Sequence, residues 1–156
     1  MHRNVKAVVD AGAKQGLTVE AKTFPEGTKT AADAAAAIGV ELGPIVKSLV
    51  FLVDDRPVMA LMSGDNFLDE AKLLAATGGT KVGRADADAV RAATGFPIGG
   101  VPPFGHRTPV PVLVDEDLLR FSEVWAAAGT WTDVFPVAPK ELVRVASGSL
   151  ADLAKR

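Results

Sequence analysis

An α+β fold built on a mixed sheet is what this 156-residue sequence predicts. Segments with helical spacing of apolar residues and short apolar runs follow one another irregularly, without the strand–helix repeat of a doubly wound fold. Two apolar runs, 46–53 and 58–62, flank Asp54-Asp55-Arg56-Pro57 and read as a hairpin set between helices. Apolar residues make up 48% of the chain, enough to fill one sizeable core, and residues 1–156 read as a single domain without repeat or linker.

The elements follow in order. Val5, Val8, Val9 and Ala13 share one helical face that stops near Gly16, with Gly12 weakening the last turn. Residues 17–24 (LTVEAKTF) alternate as a strand and end at Pro25-Glu26-Gly27. Thr30-Ala31-Ala32-Asp33 is a capping-box variant before an alanine-rich helix closed by Gly39. The run VKSLVFLV (46–53) is nearly all apolar and reads as a buried central strand. Ser63-Gly64-Asp65-Asn66 caps a helix with Phe67, Ala71 and Leu74 on one face, ending at Gly78-Gly79. A further helix covers 87–94, and 110–114 is a strand that Pro111 assigns to an edge or a bulge. Phe121, Val124, Trp125 and Ala128 fit a helix face, which makes Phe121 and Trp125 core residues and Gly129 the stop. Residues 132–137 read as a strand, Pro139 opens a helix, and Ser149-Leu150-Ala151-Asp152 caps a short terminal one.

Composition narrows the function classes. Seventeen Lys and Arg against nineteen Asp and Glu give a net charge of −2, so the chain does not coat duplex DNA; any nucleic-acid contact is local, such as a strand end. Tyrosine is absent and aromatics are 6%, too few for a broad base-stacking platform. With no cysteine there is no disulfide, thiolate metal site or thiol nucleophile, which fits a cytosolic protein. No apolar run nears the ~20 residues of a membrane span, and Met1-His2-Arg3-Asn4 does not begin a secretory signal. G-x-S-x-G, HExxH, Walker and G-x-G-x-x-G motifs are all missing, so neither a serine elbow nor a metal or dinucleotide site is expected.

Three unusual features remain. Gly99-Gly100-Val101-Pro102-Pro103-Phe104-Gly105-His106 packs three glycines and two prolines into eight residues, a stiff loop whose backbone can approach a small polar ligand. Lys47 interrupts an apolar strand at its start, where it either meets an anion or carbonyl oxygen in a cleft or snorkels from the strand's edge. The Gly64-Asp65-Asn66 turn either caps a helix or recognises an amine or hydroxyl. His106 either braces its own loop or donates to a substrate oxygen, and Gly129-Thr130 is either a helix stop or a second backbone approach.

The run Pro44-Ile45-Val46-Lys47-Ser48-Leu49-Val50-Phe51, the Ser63-to-Asn66 turn and the Gly99-to-His106 loop, in this order and spacing, resemble the YbaK/prolyl-tRNA synthetase-associated editing-domain family. The likeness runs from about Thr30 through Asp115-Glu116-Asp117-Leu118-Leu119 to Pro139-Lys140-Glu141-Leu142, and the length resembles the free-standing, trans-acting members. The resemblance implies a mixed, partly barrelled sheet flanked by helices. It also implies hydrolysis of the ester joining a wrong amino acid to the terminal adenosine of a tRNA, commonly proline tRNA. Lys47 would bind near the terminal ribose and phosphate, and the Gly99, Gly100 and Val101 backbone would orient the ester. Water would attack with help from the substrate's own ribose hydroxyl, so no metal or cofactor is implied. Phe24, Thr30, Ser48, Gly64, Asp65, Pro102, His106, Gly129 and Thr130 complete the candidate substrate contacts.

Such chemistry needs no nucleophile, because an aminoacyl ester is already activated and mainly requires a placed water and a polarised carbonyl. Editing is needed because one methylene in an apolar pocket discriminates by only ~1–3 kcal/mol. Cysteine-specific members carry a Gly-Leu-Asp-type segment where this chain reads Gly129-Thr130-Trp131-Thr132-Asp133, so alanine, cysteine and similar small residues all remain open as substrates. The expected partners are the aminoacyl-tRNA 3′ end and a prolyl-tRNA synthetase that could supply affinity; duplex DNA and membranes are not expected. The competing reading is a non-catalytic module for a tRNA end, a synthetase or a small ligand.

Overall fold

The computed structural model describes residues Met1–Arg156. Helix α1 (Arg3–Lys14) buries Val5, Val8 and Gly12. A Cβ on Gly12 would lie 2.5 Å from Val19 Cγ2, so the glycine lets the returning chain pack against the helix. That chain is irregular over most of 17–24, and only β1 (Lys22–Thr23) pairs, contrary to the full strand its alternation suggests. Helix α2 (Ala31–Ile38) begins at Thr30, whose hydroxyl accepts from the Asp33 amide at 3.0 Å, and ends at Gly39 with φ 86°.

Strands β2 (Val46–Val53) and β3 (Arg56–Ser63) form the expected hairpin. Asp54 and Asp55, with φ 49° and 66°, make a two-residue turn whose positive angles match the twist of the paired strands. Helix α3 (Glu70–Thr77) is capped by the Asp69 carboxylate, not by the 63–66 turn. Its buried residue is Leu73; of the expected Phe67–Ala71–Leu74 face only Leu74 packs, against the smaller core, while Ala71 is exposed and Phe67 lies outside the helix at 74% exposure. After β4 (Val82–Arg84) and α4 (Ala87–Thr94), the Gly/Pro loop leads to β5 (Val112–Asp115). Strand β5 lies between β3 and the C-terminal strand rather than at an edge; Pro111 sits just before it, and its carbonyl accepts from the Met59 amide at 2.8 Å.

Two expected helices are strands. A 3₁₀ turn (Glu116–Arg120) precedes β6 (Val124–Ala127), then come β7 (Asp133–Val137), α5 (Pro139–Ala146) and β8 (Ser149–Ala151). Val124, Ala126 and Ala128 are buried, the period of two of a strand. Phe121, Val124, Trp125 and Ala128 also fit a helical template, and only strand pairing separates the two. Residues 149–151 extend the main sheet beside β5 instead of capping a helix.

The main sheet has the order β4-β2-β3-β5-β8, antiparallel on one side and parallel from β3 to β8. A second, antiparallel sheet has the order β1-β7-β6. The mixed sheet flanked by helices is as expected, but the two sheets do not close into a barrel. They meet where Ile45 bridges Trp125, the Trp125 amide donating to the Pro44 carbonyl at 2.9 Å. Strand β2 is buried on both faces, which explains its nearly unbroken apolar run. Val46 and Val50 join the larger core, Phe51 and Val53 a smaller one behind the sheet. No helix is long and apolar enough to cross a membrane.

Candidate active site

Where the two sheets meet, a cavity of about 240 Å³ opens. Its walls come from the segment leading into α2 (Thr28–Ala31), the first half of β2, Arg84, β6 and β7, and the Gly/Pro loop through Ile98, Gly99 and Val101. The space is small beside drug-sized pockets of about 300–1,000 Å³. A second, more open hollow shares Lys47, Leu49 and Arg84 with it and continues past Phe67 to Lys155.

Lys47 lies at this junction. The pleat puts it on the same face as Leu49 and Phe51, while Ser48 faces the other way with Val46 and Val50. Residue 47 and the Gly99–Val101 loop therefore border one cavity, but the ammonium turns to its rim, where it donates to the Asn66 carbonyl and stands 4.9 Å from the Phe67 ring centroid. Burial and the Arg84 guanidinium pull its pKa below the ordinary lysine value, against the opposing influence of Asp65. Lys47, Arg84 and Lys155 take part in no ion pair. The open hollow thus holds three cations that form no ion pair, beside the carboxylates of Asp69 and Glu70.

Gly99 has φ 86°, and a Cβ there would meet Lys29 Cγ at 2.7 Å. The Gly100 amide is engaged by the Pro97 carbonyl at 2.9 Å; those of Gly99 and Val101 have no protein acceptor. A Cβ on Gly100 would lie 2.9 Å from both the carbonyl carbon and oxygen of Thr130, so the loop rests directly on the 129–130 backbone. Thr130 supports the loop, Gly129 packs against Asn4 of α1, and neither lines the cavity. Thr30 and Ser48 line it, Asp65 is exposed near the rim, and Phe24 is tied outside it by its amide to the Thr132 carbonyl at 2.7 Å. Gly64 serves packing, since a Cβ there would lie 2.4 Å from the Leu42 oxygen. His106 and the buried Pro102 lie outside the cavity as well: Nε2 donates to the Pro102 carbonyl at 2.7 Å, which braces the loop. Burial pushes the imidazole below its ordinary pKa although the Pro102 contact favours the charged form.

Several residues here carry no local signal in the sequence. Trp125 lines the cavity because β6 is a strand whose alternate residues face outward from the core. Arg84, Thr28 and Phe67 arrive from separate segments. Asp133 is 8% exposed and accepts hydrogen bonds from the hydroxyls of Thr23, Thr130 and Thr132, tying β1 to the turn beneath Gly100. Burial opposes its charge, but the three hydroxyls outweigh that and hold its carboxyl below the usual aspartate range. A depressed pKa contributes stability above the unfolded value of about 3.9, lost as pH falls through the folded one. Asp133→Ala is expected to cost about 2–3 kcal/mol in urea unfolding at pH 7, and the gap to wild type should narrow below about pH 4. An unchanged midpoint would remove Asp133 from the support of the loop.

A model of the aminoacyl-tRNA editing domain family matches residues 25–145, which include the cavity and the loop. The "Putative Cys-tRNA(Pro)/Cys-tRNA(Cys) deacylase EbsC" of Enterococcus faecalis is 30% identical over 125 residues, 80% of this chain and 76% of that one. A proline--tRNA ligase of Maridesulfovibrio salexigens is 34% identical over 107 residues, 69% of this chain but 18% of the ligase. The crystal structure of "a putative trans-editing enzyme for prolyl tRNA synthetase" superposes with a TM-score of 0.93 at 42% identity, covering 100% of this chain and 99% of that one. The matched span holds the strand lysine, the glycine loop and the cavity between them, and the chain belongs to the aminoacyl-tRNA editing domain family.

Proposed function

We propose that this protein acts in trans to hydrolyse the ester between a small, wrongly attached amino acid and the 3′ end of a tRNA, a proline tRNA by preference. The observation that carries this reading is a small cavity joined, through Lys47 and Arg84, to an open hollow whose three cations form no ion pair although Asp69 and Glu70 share its wall. The aminoacyl group fills the cavity, and the nucleotides leave across the rim, where Lys47, Arg84 and Lys155 meet phosphates.

No histidine or carboxylate lines the cavity, so Ser48 has no such base to activate it as a nucleophile. The chain's contribution is placement and polarisation. The free amides of Gly99 and Val101 donate to the ester carbonyl and stabilise the negative charge that develops on its oxygen. Water adds to the carbonyl carbon as the substrate's neighbouring ribose hydroxyl takes its proton. The hydroxyl passes its own proton to the departing ribose oxygen as the ester C–O bond breaks, so the relay leaves it neutral. The products are the free amino acid and an intact tRNA end.

The assay is release of amino acid from proline tRNA charged with alanine, cysteine, serine or 2-aminobutyrate. Binding of charged tRNA without release across the panel would replace this reading with that of a non-catalytic module. The exposed Phe67 ring offers a terminal base a stacking surface worth ~1–3 kcal/mol. Phe67→Ala is therefore expected to raise the KM ratio of tRNA-linked to free aminoacyl ester by roughly tenfold. An unchanged ratio would place the nucleotides elsewhere.

A further inference from the structure

An ammonium on a flexible four-carbon stem takes its direction from its acceptor. For Lys47 that acceptor is the Asn66 carbonyl. The turn that carries it is tied at both ends. Upstream, the Asn66 amide donates to the Ser63 carbonyl at 3.0 Å, and Ser63 Oγ donates to the Gly43 carbonyl at 2.7 Å. Downstream, the Lys155 amide donates to the Phe67 carbonyl and the Asp69 amide to the Leu153 carbonyl, both at 2.8 Å. Between these ties the Asn66 side chain reaches across to the 3₁₀ turn, where its Nδ2 donates to Asp117 Oδ2 at 2.7 Å.

Asp117 is itself held in place. Its amide donates to Asp115 Oδ2 at 3.3 Å, and the fully buried Asp115 also accepts from the Leu153 amide at 2.8 Å. The Arg156 guanidinium lies 3.2 and 3.3 Å from the two Asp117 carboxylate oxygens. That contact keeps the carboxyl below the usual aspartate range, so at neutral pH it is a charged acceptor and makes the stronger kind of hydrogen bond. The Asp117 side chain is 15% exposed against 54% for Arg156, so its bond to Asn66 is the better shielded of the two. Arg156 lies beyond residue 145, where the match to the family model ends. Asp117 lines neither the cavity nor the open hollow, and can act on the site only through what it holds.

We propose that Asp117 is a positioning residue for Lys47, acting through Asn66: it holds the turn whose carbonyl aims the ammonium, and so sets where the ammonium meets the substrate. The inference rests on the deacylase reading and extends it to a residue outside the site.

Three variants test it. Asp117→Ala removes the acceptor, Asn66→Ala removes the donor but keeps the backbone carbonyl, and Asp117→Asn keeps an oxygen acceptor without the charge. Their kcat/KM values for mischarged proline tRNA are compared in the wild-type and Lys47→Ala backgrounds, and Lys47 is titrated by side-chain NMR wherever it is present. Each alanine variant is expected to lose about five- to tenfold, and Asp117→Asn at most about twofold. In the Lys47→Ala background none should lower activity further, because the group they aim is already gone. The charges that act directly on the ammonium are Arg84 on β4 and Asp65 in the turn, with Asp69, Glu70 and Lys155 on the wall of the hollow. Asp117→Ala leaves all of them in the chain, so the expected fall of the Lys47 pKa by about one unit reports the lost carbonyl, and Asp117→Asn should stay near wild type. Asn66→Ala, at a partly exposed position, carries the same test should Asp117→Ala not fold. Equal losses in both Lys47 backgrounds overturn the proposal and assign Asp117 to the fold alone. An unmoved Lys47 titration in the alanine variants overturns it as well. If no ester is cleaved, the deacylase reading fails, while the titration still decides the positioning.

Discussion

Lys47→Ala is expected to lower kcat/KM for mischarged tRNA by roughly 10- to 100-fold while the protein stays folded. The size follows from the loss of a charged hydrogen-bond donor, worth about 1.5–3 kcal/mol, at tenfold per 1.4 kcal/mol. The fold should survive because this half-buried ammonium has no ion-pair partner and makes a single hydrogen bond, to the Asn66 carbonyl. Lys47→Arg should recover little, since a planar fork does not reproduce a compact ammonium seated between a carbonyl and a phenyl ring. Steady-state kinetics with a thermal melt of each variant checks this. Wild-type turnover in Lys47→Ala would refute the role assigned to the lysine.

Gly100→Ala is expected to be as damaging to activity, by a different route. The added methyl would sit 2.9–3.1 Å from three backbone atoms of Thr130, and backbone held in a turn cannot step aside as a side-chain tip can. The loop must move instead, taking the amides of Gly99 and Val101 with it. Displacements near 1 Å at a reacting centre cost about 100-fold, and overpacking of this kind destabilises by about 1–3 kcal/mol. Gly83→Ala is the control, because nothing lies within 4 Å of a Cβ there. If Gly100→Ala cleaves charged tRNA at the wild-type rate, the loop does not position the ester.

Much of the framework could be read from local pattern. The hairpin of β2 and β3, the Thr30 cap, the Gly39 stop and the Pro139 start all rest on interactions within a few residues. The errors fall where two periods fit the same residues. Residues 121–128 satisfy a helical template and a strand template alike, and pairing of β6 with β7 decides between them. Residues 149–151 become a strand only because β5 offers them an edge. Asp69 rather than the 63–66 turn caps α3, so the helix starts later and Phe67 is left exposed on the rim.

The candidate site divides in the same way. A lysine at the head of an apolar strand and a glycine–proline loop stand out in the sequence, because the cost of burying a charge and the steric freedom of glycine are properties of the residues themselves. The sequence by itself thus determined which backbone segments are unusual and what family they resemble. The tertiary structure alone decided that the Lys47 ammonium turns to Asn66, that His106 braces its loop and that Gly100 rests on Thr130. It likewise decided that the hydroxyls of Thr28 and Ser48 are left without partners. Whether a polar atom finds a partner depends on chains brought together across the fold, and no local spacing encodes that distance.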